Sequence, residues 1–90
     1  MNQTEITAEQ PSIKKLQWQC RRGMLELDVI LQPFLQEHFN QLNEQQQNSF
    51  SNLLKEADPD LYTWIMGFGE CENTQLHPII SIIRNKMSVA

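Results

Sequence analysis

Apolar residues in this chain recur at three- and four-residue steps, and proline and glycine cut that rhythm into segments long enough only for short helices. Met24, Leu27, Leu31, Phe34 and His38 form one stripe, widened by Ile30 and Leu35. Phe50, Leu53, Leu54 and Ala57 form another, as do Leu61, Trp64, Ile65 and Phe68, and again Leu76, Ile79, Ile80, Ile83 and Met87. Ile13, Leu16 and Cys20 share a face in the first segment. No stretch alternates with the two-residue period of a strand. The fold class is therefore all-α, a compact bundle of five short helices.

Punctuation residues set the expected boundaries. Pro11 and Ser12 open the first helix, which runs to about Arg21. Lys14 and Lys15 recur seven residues on as Arg21 and Arg22, which lays a basic stripe along its solvated side. Trp18 falls off the apolar face, so it either packs under another helix or is partly exposed, and core contact is preferred because large aromatics are usually mostly buried. The second helix begins after Gly23 and is expected to kink at Pro33, whose ring crowds the carbonyl of Val29 and offers it no N–H. His38 at its end can shield terminal carbonyls. Asn43 caps a third helix to Ala57. Asp58-Pro59 reads as N-cap and N1 of the fourth, with Gly67 and Gly69 as its stop. Pro78 fits the first turn of the fifth, which frays near Ser88.

Ninety residues support one domain, assigned to 11–90, with 1–10 as a flexible polar N-terminal tail. A formal net charge of -4 argues against general phosphate attraction, so no nucleic-acid partner is expected. No run approaches the roughly twenty apolar residues that span a bilayer. The polar start, with Glu5 and Glu9, resembles neither a signal nor a transit peptide. A bacterial cytoplasmic protein without membrane insertion is the simplest expectation. Cys20 and Cys71 form no CxxC and read as reduced thiols, and His38 and His77 have no metal-ligand spacing, so no metal site is expected.

Catalytic motifs are not found. There is no Gly-rich phosphate loop, GxSxG or HExxH, and Glu26 and Asp28 point to different faces of one helix, unlike a working carboxylate pair. No catalytic residue is assigned.

Arg22-Gly23-Met24-Leu25-Glu26 lies where one amphipathic segment hands over to the next. Two readings stand. Gly23 can act as N-cap with Glu26 at N3, facing the unpaired N–H groups of the helix start. Alternatively, Gly23 lets a partner's backbone approach closely while Arg22 and Glu26 offer a forked donor and an acceptor beside it.

The stretch Trp18 to Asp28, with Arg22, Gly23 and Glu26 as RGxxE and Leu27 and Asp28 directly after, resembles the signature of the SdhE/YgfY family, bacterial relatives of the mitochondrial succinate dehydrogenase assembly factor. A second block, Leu53-Leu54 followed by Asp58-Pro59-Asp60-Leu61 and Trp64, stands at the family's separation from the first, and Pro33-Phe34 also fits. The resemblance covers about Leu16 to Gly69. It implies a five-helix assembly chaperone for the flavoprotein subunit of succinate dehydrogenase, and in some bacteria of fumarate reductase. The FAD is the client's: in the family picture a client histidine attacks the flavin 8α position, while the factor holds no stably bound cofactor and is no enzyme. It further implies a partner-binding surface in which Gly23 permits close approach, Arg22 and Glu26 contact the client, and Asp28 supports that surface. A monomer that forms a heterodimer with its client is the expected state. The alternative is a small regulatory, antitoxin-like module acting on an unrelated protein.

Overall fold

Ser12, read as part of the helix entry, is the N-cap of the first helix, its hydroxyl accepting the Lys15 N–H at 3.4 Å. The computed structural model describes residues 12–89 and shows five helices joined by short turns: α1 (Ile13–Gln19), α2 (Leu25–His38), α3 (Glu44–Leu53), α4 (Asp58–Met66) and α5 (His77–Lys86). Short 3₁₀ turns, Phe39–Gln41 and Thr74–Leu76, lead out of α2 and into α5. No strand occurs among the described residues. The all-α reading is correct, and the tail assigned to 1–10 lies outside the described residues.

The stripes become the core. Helix α2 is its axis, packed against α1, α4 and α5, and it buries Leu27, Leu31, Phe34 and Leu35. Each fully buried side chain of this kind contributes about 1.5–3 kcal/mol. Phe34 and Phe39 flank Phe50 of α3 at centroid distances of 5.3 and 5.9 Å, tilted as aromatic pairs prefer. Helix α5 closes the bundle with Ile79, Ile80 and Ile83. Pro33 sits inside α2, which continues to His38. The His38 ring lies 5.7 Å from that of Phe34.

Asn43 and Gln46 form a reciprocal capping box, with the Asn43 side chain accepting the Gln46 N–H at 2.8 Å and the Gln46 side chain accepting the Asn43 N–H at 2.9 Å. Gly67 takes φ +82° after α4, and the N–H of Phe68 then reaches back to the carbonyl of Thr63 at 2.8 Å, the six-to-one bond of a Schellman stop.

Several boundary and burial expectations are corrected. Helix α1 stops at Gln19 rather than Arg21, so Arg22 leaves the basic stripe formed by exposed Lys14, Lys15 and Arg21. Trp18 is 75% exposed instead of buried, because the stripe that α1 turns inward carries only Leu16 and Cys20. Helix α3 ends at Leu53, which leaves Ala57 exposed. The N-cap of α4 is Ala57, so that Asp58 is its first residue and Pro59 its second. Phe68 lies past the left-handed Gly67, 71% exposed against the ring of Tyr62, and not on the inner face of α4.

Candidate functional site

Between α1 and α2 the chain turns through Arg21–Met24. Gly23 holds φ +81°, a left-handed conformation that L side chains rarely adopt. A Cβ placed on it would meet nothing within 4 Å among the described residues, so the backbone there is bare on that side. The N-cap of α2 is Met24, whose side chain makes no cap bond, and Glu26 is the helix's second residue. This corrects the reading of Gly23 as N-cap and Glu26 at N3. The carboxylate that ties down the helix start is that of Asp28, which accepts the Arg22 backbone N–H at 2.8 Å.

The Arg22 side chain turns inward. Its Nε donates to Asp58 Oδ1 at 2.7 Å, one Nη donates to the carbonyls of Gln19 and Leu54 at 2.9 and 2.8 Å, and the other Nη to that of Glu56 at 2.7 Å. Only 14% of the side chain remains exposed. One planar fork thereby joins the end of α1, the α3–α4 turn and the first residue of α4, a geometry that a lysine ammonium cannot reproduce. It also explains the early stop of α3. The carbonyls of Leu54 and Glu56 face the guanidinium, and Asp58 spends its carboxylate on the ion pair instead of a cap.

Glu26 stands apart from this network. It is exposed, and its carboxylate has no hydrogen-bond or ion-pair partner among the described residues. Leu25, 72% exposed, precedes it, and Val29, 57% exposed, follows one turn later on the same face. Of the residues singled out in the sequence, Arg22 and Asp28 therefore brace the loop while Gly23 and Glu26 face outward. Sequence reading missed Asp58 as a partner of Arg22, and missed the exposed Leu25 and Val29. The available signal was the fixed separation of the two blocks, the first holding Arg22 and the second Asp58.

Neither cysteine is set up as a nucleophile. Burial pushes the Cys20 thiol up to about 12, only partly offset by the positive charge of Arg22, with Asp28 adding to the rise. Cys71 is buried, and the nearby His77 ring nitrogen is directed to its backbone carbonyl rather than to sulfur. No group of three or more metal-ligating side chains occurs among the described residues, nor does any helix long and apolar enough to cross a membrane. Cys20 is expected to resist iodoacetamide at neutral pH in the native protein and to react once guanidinium unfolds the chain; mass spectrometry reads both states. The raised value also has a sign in stability. The unfolded thiol releases its proton near its ordinary value of 9.0, before the folded one does, so this contribution is complete below pH 9 and is lost as pH rises toward 12. Its slope is at most about 1.4 kcal/mol per pH unit, and Cys20→Ala should flatten that part of a denaturation series.

Fold and loop together define a class of small helical proteins that hold a polar turn on an internal arginine clamp and present its outer edge to solvent. The chain belongs to the family described as flavinator of succinate dehydrogenase, whose model matches residues 14–87. It is 49% identical over 77 residues to the FAD assembly factor SdhE of Vibrio cholerae, covering 86% of this chain and 87% of that one. It is 58% identical over 59 residues to the protein of the same name from Vibrio parahaemolyticus, covering 66% and 69% of the two chains. A third such protein, from Colwellia psychrerythraea, is 43% identical over 75 residues, 83% of this chain and 82% of its own.

Proposed function

We propose that this protein is an assembly factor that docks on the flavoprotein subunit of succinate dehydrogenase, with fumarate reductase as a second client, and promotes covalent attachment of the client's FAD. The observation that carries the reading is the exposed Glu26 carboxylate, without a partner among the described residues, beside the bare, left-handed Gly23, within a chain that matches the flavinator family over residues 14–87. An unpaired carboxylate flanked by exposed Leu25 and Val29 has the mixed character of an interface edge.

The factor itself is non-catalytic. The bond-forming groups are a client histidine and the client's flavin, and this chain contributes binding energy. Such a factor works only by holding the productive client conformation more tightly than the alternatives, and each tenfold preference shifts the client equilibrium by about 1.4 kcal/mol. In this reading Gly23 lets client backbone come close and Glu26 accepts donors from it. Arg22 and Asp28 serve the same surface from behind by fixing its shape. The protein acts in the bacterial cytoplasm, as a monomer that forms a heterodimer with its client, and FAD stays with that client.

Deleting the gene should abolish or sharply reduce covalent flavin fluorescence of the succinate dehydrogenase flavoprotein subunit in a denaturing gel. Complementation with the unaltered gene should restore the signal, and the Glu26→Ala variant should restore much less. Full flavinylation in the deletion strain would refute the proposal. Recovery of an unrelated toxin in place of a flavoprotein would favour a regulatory module instead.

A further inference from the structure

Arg22 and Asp58 lie 36 residues apart in sequence, yet their side chains meet at 2.7 Å, and the Leu54 and Glu56 carbonyls beside Asp58 complete the cradle around the guanidinium. Nothing else among the described hydrogen bonds ties the turn bearing Gly23 to the second half of the chain. The Arg22 backbone N–H is held to Asp28 of α2, but that bond stays within the first helix pair. We propose that Asp58, together with the carbonyls of Leu54 and Glu56, positions the Arg22–Glu26 segment for docking, so that the second sequence block acts through the first and not as a client contact of its own. This rests on the reading that the Gly23–Glu26 edge is the client surface.

The chemistry favours positioning over contact. Arg22 uses all three guanidinium nitrogens inside the protein, and its Nε–H is spent on Asp58. Asp58 is also the first residue of α4, so its carboxylate is anchored by a helix whose Leu61 and Ile65 are fully buried in the core. The clamp therefore carries the rigidity of α4 to a turn whose other hydrogen bonds reach only α1 and α2, beside the packing of Met24 on the core. Gly23 cannot supply that rigidity, because a glycine at positive φ has the widest choice of other conformations.

Titration of the purified full-length chain with purified flavoprotein subunit tests this. Asp58→Ala should weaken binding about tenfold, the equivalent of one charge-assisted hydrogen bond, whereas Asp58→Asn, which keeps an acceptor oxygen in place, should retain most of the affinity. Arg22→Lys combined with Asp58→Ala should bind no more weakly than Arg22→Lys alone, since the two act as one unit. An Asp58 that touched the client itself would instead add its full loss in the double variant. Ile80→Val in α5, which lowers stability far from the turn, should leave affinity unchanged. Amide exchange at Arg22, whose N–H is held by Asp28, should quicken in Asp58→Ala and not in Ile80→Val. Equal binding by the unaltered chain and Asp58→Ala, additive losses in the double variant, or an equal loss in Ile80→Val each overturns this inference alone. Failure of the unaltered chain to bind any flavoprotein overturns the functional reading and this inference with it.

Discussion

Replacing Arg22 with alanine is expected to lower stability by about 3 kcal/mol, a large part of the 5–15 kcal/mol available to a domain of this size. The figure is set by what remains behind. The carbonyls of Gln19, Leu54 and Glu56 lose their shared donor, and Asp58 is left as an unpaired carboxylate. Buried acceptors without partners cost about 1–3 kcal/mol each, but the Asp58 side chain is 34% exposed and water can reach it, so the sum is discounted. In a thermal melt, 3 kcal/mol corresponds to a fall of about 12–24 °C for a chain of this length. Arg22→Lys should recover only part of the loss, because an ammonium keeps the charge without the fork that reaches three carbonyls and a carboxylate at once. A melt of Arg22→Ala within a few degrees of the unaltered protein would show that the clamp contributes little and that Arg22 is free to serve elsewhere.

The inward turn of Arg22 marks where sequence reasoning stops. Local rules located most of what is local: Ser12 at the entry of α1, Asn43 as a cap, Gly67 as the helix stop, Pro78 in the first turn of α5, and the apolar stripes that become the core. They failed where a distant group outbids a local one. Asp58-Pro59 has the pattern of a cap and first turn, but the carboxylate has a stronger partner in a charged guanidinium 36 residues away. The apolar pattern of α3 runs on to Ala57, yet the helix ends at Leu53 while the Leu54 and Glu56 carbonyls accept from the same arginine. Size favours packing for Trp18 and helical spacing favours it for Phe68, yet both are more than two-thirds exposed. The RGxxE letters themselves were legible, whereas the division of labour within them was not. Spacing cannot tell an arginine directed at a partner from one directed at its own fold.

Gly23 and Glu26 are the positions where the largest loss of client binding is expected with the smallest loss of fold. At φ +81° an alanine costs about 1–2 kcal/mol in backbone strain alone, since its Cβ would touch nothing among the described residues. Asparagine tolerates that conformation much better and should leave the melt almost unchanged. If the glycine serves only its own turn, Gly23→Asn should bind the flavoprotein normally and Gly23→Ala only slightly less well. If the bare backbone is the landing place for client backbone, both variants should lose at least about tenfold in affinity, because each puts a side chain into the space the client fills. The second pattern is the expected one. Glu26→Gln completes the test, since it preserves size and removes charge at a residue with no partner among the described residues. Its melt should match that of the unaltered chain, while affinity should fall about tenfold and lose part of its dependence on salt, as expected when a charged contact is removed. Unchanged affinity in both Gly23→Asn and Glu26→Gln would move the client surface off this turn altogether.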